Sequence, residues 1–331
     1  MKRKIIKQGH NTLTITLPSD WVRKFNLKSG NEIDLIEKDN GLFISTEKKN
    51  EKKRTEFDIS EMDIPTIWKY FMAVYREGYD EVYVKFSPSL KINSPYKFFS
   101  LHKLDIKYGR ETKKETGLEF LHSLVNRFIG FEIADYGKNF VLIKEMGELT
   151  TKEFDNSLRR IFFLIQQMCE ETNEALISGN PKILSHIHDV DVNLDKFHDY
   201  CIRILNKLGN KETKKISILF SILYLLELVG DEFKNISHHL LYDFSHKFNF
   251  KNIQPIADSV KEQLNFIYEI YYKFDFKKIK KISEMDKTRY FNVKKMYDKT
   301  KTKEEKEVFH HLRIITRYIN ALTELIIEKE F

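Results

Sequence analysis

Two pairs of carboxylates stand out for their spacing. Asp191 and Asp195 are four residues apart, and so are Glu227 and Asp231. On a helix, residues four apart share one face. Each pair would therefore present two acidic side chains in one direction. Spacing alone carries little, because acidic pairs of this kind are common on solvated faces. Glu227 adds something, since it interrupts the apolar run ISILFSILYLLELVG (Ile216 to Gly230), where a lone carboxylate is costly. Gly230 lies on the same face and would let a neighbouring helix approach closely. The competing account of Glu227 is a buried ion pair, with Arg159, Arg160 or Arg203 as the candidate cation.

A second group is cationic. Lys2, Arg3, Lys4, Lys7, Arg23 and Lys24 are opposed within the first 24 positions only by Asp20. Residues 1–54 hold thirteen Lys and Arg against seven Asp and Glu, so they carry +6 of the chain's formal +7. A basic block on a near-neutral body points to a polyanion. Lysine and arginine bind phosphate by charge whatever the base sequence, so these six would set affinity for duplex DNA. His10 and Asn11 sit in a turn from which they could reach base edges, and an asparagine suits adenine. The competing accounts are an ordinary charged surface and a solvated tail beside a linker.

Other reactive residue types fall into no pattern. His186 and His188 are two apart, and His238 and His239 are adjacent, so neither pair shares a helix face. With His198 they read as solvated or helix-end histidines. Asp195, His198 and Asp199 mimic an acid/base pair but stand beside no evident nucleophile. There is no Gly-rich phosphate loop, G-x-S-x-G, H-E-x-x-H or Cys-His pattern, and no catalytic residue is expected. Cys169 and Cys201 are too few for a disulfide framework or a zinc site. The reading is a cytoplasmic protein with reduced thiols. The start, MKRKIIKQGH, lacks the apolar stretch of a signal peptide, and the longest apolar run is too short to span a membrane.

Three domains would have to position these residues, which fits 331 positions with 41% hydrophobic and 32% charged residues. In residues 1–47, Thr12, Thr14 and Thr16 alternate with Leu13, Ile15 and Leu17 as a half-buried strand does. Pro18 ends it, Ser19 can cap a short helix, and a hairpin turning at Asp39-Asn40-Gly41 follows. Some 45 residues bury too little surface alone, so two copies should associate. TEKKNEKKR (Thr46 to Arg54) reads as an exposed linker. Residues 56–146 run β-α-β-α-β-β, a small α/β sandwich of ferredoxin-like order, with 87–116 unassigned. Residues 149–331 read as six helices near 150–178, 182–208, 212–247, 252–274, 276–299 and 303–330. Their breaks are expected at Gly179-Asn180-Pro181, Gly209-Asn210 and Asn252 to Pro255. Two sets of three suggest a duplicated three-helix bundle.

The stretch from Arg3 to Ser45 resembles the AbrB/SpoVT swapped-hairpin DNA-binding domain. The resemblance rests on the basic first strand Arg3 to Lys7, the turn Gly9-His10-Asn11, Leu17-Pro18, the helix Asp20 to Phe25, and Leu27-Lys28-Ser29-Gly30. Asn31 stands where the family usually has Asp, and an asparagine can also bond its own backbone there. The C-terminal unit resembles the PhoU phosphate-uptake regulators through LRRIFFLIQQM (Leu158 to Met168), DVNLD (Asp191 to Asp195) and LELVGDEFKNIS (Leu226 to Ser237). Together the parts look like the archaeal PhoU-type regulators.

The resemblance implies a swapped homodimer whose basic strands face double-stranded DNA. It also implies a divalent or ferric ion, iron or zinc, held by Asp191, Asp195, Glu227 and Asp231. In the second half, Asp286 to Tyr290 and Asn320 to Glu324 replace the acidic pairs the family would carry, so at most one such site is intact. The expected function is a transcriptional regulator linked to phosphate supply. The rivals are an adaptor docking on a phosphate transporter without binding DNA, and an antitoxin.

Overall fold

In a computed structural model that describes residues 2–38, 41–46, 52–92, 115–147, 149–212, 215–243 and 250–331, the alternation around Leu13 forms the second strand of a hairpin. Strands β1 (Ile6–Gln8) and β2 (Thr12–Thr14) pair antiparallel, with Lys7 opposite Leu13. Helix α1 (Ser19–Lys24) follows. Its N-cap is Pro18, whose carbonyl accepts from Val22, so Ser19 lies inside the first turn and does not cap as expected. Asn31 Oδ1 accepts from the Lys28 amide at 2.7 Å, which closes the Lys28–Asn31 turn with asparagine in the aspartate position. Strands β3 (Asp34–Lys38) and β4 (Gly41–Ser45) form a second hairpin. Its expected turn residues Asp39 and Asn40 lie outside the described residues.

The chain divides into two compact units, Met1–Lys52 and Lys53–Phe331. Among the described residues of the first, no side chain is buried. Leu13, Leu35, Leu42 and Phe43 are each 60–67% exposed. Alternation has made strands with an apolar face that a single copy leaves largely uncovered. The expected linker falls mostly outside the described residues, and its last residue, Arg54, already begins β5.

The second unit opens with a four-stranded sheet. Strands β5 (Arg54–Asp58), β6 (Glu81–Lys85), β9 (Phe131–Tyr136) and β10 (Phe140–Glu145) lie in the order β5-β6-β10-β9. β5 and β6 are adjacent and parallel, while β10 runs antiparallel to β6 and β9. This departs from the ferredoxin-like order, in which another strand splits the parallel pair. β9 and β10 are joined by a tight turn at Gly137 and enter the sheet as a hairpin whose second strand lies against β6. Helix α2 (Ile64–Arg76) connects β5 to β6. Asp63 caps it by accepting from Thr66, and Gly78 ends it at φ 79°. A ribbon of β7 (Lys91–Ile92) and β8 (Glu115–Thr116) precedes helix α3 (Gly117–Val125). Ile67, Phe71 and Tyr75 of α2 are buried with Val82, Val84, Val141 and Ile143 of the sheet and with Leu121 and Leu124 of α3. Most of the unassigned segment 87–116 lies outside the described residues.

Helices α4 (Thr151–Ser178), α5 (Ile187–Glu212) and α6 (Ile216–His238) pack mutually as one three-helix set. Helices α7 (Gln254–Tyr272), α8 (Phe276–Lys299) and α9 (Lys303–Glu330) form the second. The sets join through α6 against α9 and α4 against α7. Thr150 with Glu153, and Thr302 with Glu305, make capping boxes that start α4 and α9. Gly179 ends α4 in the left-handed conformation the break predicted. The break expected at Gly209-Asn210 is absent, because α5 continues to Glu212. An interior glycine costs a helix only about 1 kcal/mol, which a long packed helix tolerates. No helix of the described residues is long and apolar enough to cross a membrane.

The α/β segment expected at 56–146 and the bundle expected at 149–331 are two layers of one compact unit. Arg203 on α5 joins them. Its guanidinium is fully buried and donates to Glu145 Oε1 at 3.0 and 2.8 Å, to the Tyr75 carbonyl at 2.6 Å and to the Tyr79 carbonyl at 2.8 Å. It also lies over the rings of Tyr75 and Phe131 at 4.9 and 4.8 Å. Lys207, one turn on, pairs with Asp80 and Glu145. Gly78 makes room for it, since a Cβ there would lie 2.5 Å from Lys207 Cγ. Arg203 is thus committed to Glu145 and is not the partner of Glu227. Removing one member of a buried pair strands the other charge, at a cost of about 3–5 kcal/mol. Arg203→Ala should destabilise residues 53–331 by that order in chemical denaturation. Arg203→Lys should rescue little, because an ammonium cannot span a carboxylate and two carbonyls.

Candidate nucleic-acid interface and buried carboxylate cluster

The cationic residues divide between the first strand and the short helix. Lys2, Arg3 and Lys4 lead into β1, Lys7 lies on it, and His10 and Asn11 form its turn with Gly9 at φ 75°. All are exposed. Arg23 and Lys24 close α1. Arg23 reaches Asp20 Oδ1 at 2.5 Å, with both side chains about four-fifths exposed. A pair so open to solvent contributes little, and a phosphate could take the place of Asp20. Lys24 lies over the Phe25 ring at 5.5 Å.

In the bundle, Asp191, Asp195 and Asp199 recur every four residues along α5 and meet Glu227 and Asp231 of α6. The close approach of the two helices depends on Gly230, where a Cβ would lie 2.7 Å from Leu194 Cδ1. Of the four expected carboxylates, Asp191 and Asp231 are bridged by a residue the sequence reading missed. Lys234 Nζ donates to Asp191 Oδ2 at 2.8 Å and also pairs with Asp231. Its ammonium fills the space between these two carboxylates, so an ion held by Asp191 and Asp231 together would have to displace Lys234. The signal was available, since Asp231 and Lys234 are three apart on one helix. The ion pair proposed for Glu227 with Arg159, Arg160 or Arg203 is not seen. Arg159 instead lies over the Tyr272 ring at 3.9 Å. In the second half, Asp286 pairs with Arg289, and Asn320 donates to Glu324.

Two arginines from the α/β layer complete the cluster. Arg76 at the end of α2 donates to Asp199 Oδ1 at 2.8 and 2.6 Å. Buried Arg127, beyond α3, lies 3.5 Å from Asp195 and 3.7 Å from Asp199. Burial works to raise the pKa of Asp199, but His198, Arg76 and Arg127 outweigh it and hold the carboxyl below the usual range. His198 is therefore a buried neighbour of a fixed carboxylate, not a solvated ring. Asp195 shows the opposite balance, since burial and the charge of Asp191 push its pKa well up. Burial and Asp231 push Glu227 up to about 7, against the pull of Lys234. Both cysteines are buried free thiols, and burial pushes Cys169 up to about 12.

A carboxyl with a raised folded pKa holds its proton more tightly in the folded state. Its contribution to stability is full below its ordinary value of 4.5 and is lost as pH rises through about 7. Glu227→Gln cannot ionise. It should gain on the native chain by roughly 1–2 kcal/mol between pH 5 and pH 8, allowing for partial exposure. Denaturation midpoints at the two pH values check this, and a gain confined to pH 5 would have the wrong sign.

Residues 6–53 match the family model of MazE, described as antidote-toxin recognition MazE, bacterial antitoxin. Residues 158–240 match the PhoU domain. That second match covers α5, α6 and most of α4, and so includes the whole carboxylate cluster. It stops before the second three-helix set, where the acidic pairs are replaced. No curated protein matches the chain. The chain therefore joins an N-terminal MazE/AbrB-type domain to a C-terminal helical region carrying a PhoU domain.

Proposed function

We propose that this chain is a homodimeric, DNA-binding transcriptional regulator tied to phosphate supply, acting in the cytoplasm and not as an enzyme. The observation that carries the reading is the first unit itself, where exposed Lys2, Arg3, Lys4, Lys7, Arg23 and Lys24 accompany strands in which none of the described side chains is buried. Its apolar strand faces, with Leu13 and Phe43 among them, call for a second copy. Two copies would double the cations into one positive face. The PhoU match supports the link to phosphate, with the bundle receiving a signal from a protein partner or from phosphate status. The described MazE match favours a second reading, an antitoxin. Against it stand six patterned helices where an antitoxin would need only a short toxin-wrapping segment.

Residues 1–52, a compact unit by themselves, should sediment as a dimer at micromolar concentration, and a folded monomer would refute the pairing.

If about three cations per chain touch phosphate, roughly six counterions are released, and log affinity should fall against log salt with a slope of about −5. Arg3→Ala or Lys7→Ala should weaken binding to every duplex and flatten the slope. Asn11→Ala should instead relax sequence preference if it reads a base edge. Residues 53–331 should not bind duplex. Full-length protein without salt-dependent DNA affinity would move the reading to an adaptor docked on a phosphate transporter. Specific capture of a small toxin would move it to the antitoxin.

A further inference from the structure

Where α6 ends against α9, three ligand-bearing side chains converge. His239 opens the π turn His239–Asp243 that follows α6, and such turns recur at functional sites. Glu307 and His311 are four apart on α9 and share one face. One donor atom from each of His239, Glu307 and His311 lies within 4.8 Å of the other two. The rings of His239 and His311 stack with centroids 5.2 Å apart.

A fourth residue orients the group. His311 Nδ1 lies 2.6 Å from Glu232 Oε2 on α6, with the two side chains only 12% and 13% exposed. Against a carboxylate Nδ1–H is the donor, and in the neutral ring the lone pair then lies on Nε2. Nε2 is buried and has no hydrogen-bond partner. A buried nitrogen without a partner is costly, and a carboxylate on the far ring nitrogen is how metal-ligating histidines are usually held. Asp231, the preceding residue, pairs instead with Lys234 in the carboxylate cluster, so α6 serves the two groups separately.

We propose that His239, Glu307 and His311 bind a divalent transition metal of the zinc class, with Glu232 fixing the His311 tautomer and a fourth position left for water. Two imidazoles and one carboxylate suit zinc, cobalt or nickel, whereas magnesium and calcium call for oxygen alone. The ion would clasp the end of α6 to α9 and so tie one three-helix set to the other.

The test uses full-length protein stripped with a chelator and titrated with Zn(II) against a chromophoric competitor. The expected result is one ion per chain, with affinity reduced by roughly 100-fold or more in the His239→Ala/His311→Ala double variant. Glu232→Gln should cost about 10–100-fold. Glu307→Gln, close to native in shape, guards against a variant that fails to fold and should also bind weakly while keeping the native circular dichroism. Cobalt(II) should give visible d–d bands in the native chain that vanish in the double variant. The site is refuted if the double variant keeps native zinc affinity or native cobalt bands. It is also refuted if Asp195→Asn in the carboxylate cluster abolishes binding while the histidine variants do not.

Discussion

Arg203 is the residue on which the arrangement of the larger unit depends. A guanidinium without access to water has to find partners for all its donors. Here they are a carboxylate at the end of β10 and two backbone carbonyls at and just beyond the end of α2, with the rings of Tyr75 and Phe131 packed against it. Those partners fix three things together: the rotation of α5, the height of α2 along it, and the end of the sheet strand that carries Glu145. The α/β layer therefore has little freedom to slide or pivot on the bundle without breaking several charge-assisted bonds. Such bonds are roughly twice as strong as neutral ones, and their loss in a dry interface is not compensated by solvent.

From that fixed joint a polar seam runs into the bundle. Arg76 and Arg127 reach from the α/β layer to Asp199 and Asp195, and Asp191 further along α5 reaches Lys234 of α6. The seam holds five carboxylates, Asp191, Asp195, Asp199, Glu227 and Asp231, against three permanent cations. Protons relieve the remainder, which is why burial and like charge raise Glu227 and Asp195 while Asp199, flanked by two arginines, stays ionised. Spacing that resembles a metal motif has here been assembled into a network with its own internal cation.

Much of this was legible along the chain, because local rules set it. The threonine alternation in β2, the cap at Asp63, the stop at Gly179 and the i, i+4 carboxylates each depend on neighbours within a turn or two. The remainder depends on pairs far apart in sequence. Arg203 and Glu145 are 58 positions apart, and nothing near either one announces the other. Gly209 looks like a punctuation mark, but packing carries α5 through it. The parallel β5–β6 pair could not be told from a split arrangement by element order, since that order does not say where a closing hairpin enters the sheet. Lys234 and the Glu307–His311 spacing were readable in principle. Lys234 stands inside a motif whose carboxylates draw the eye first, and the Glu307–His311 pair gains meaning only with His239 from another helix.

The first unit has a different thermodynamic character from the rest. A domain whose described side chains are none of them buried in a single copy would draw much of its folding free energy from whatever covers its apolar strands. If that cover is another copy, its folding obeys mass action, and each tenfold dilution removes about 1.4 kcal/mol of stability. The bundle buries a core of its own within one copy. The N-terminal arm would then read the cell's stock of the chain itself. When chains are scarce it would stay unfolded and open to proteolysis beside a folded bundle, and it would become competent only once enough copies have accumulated.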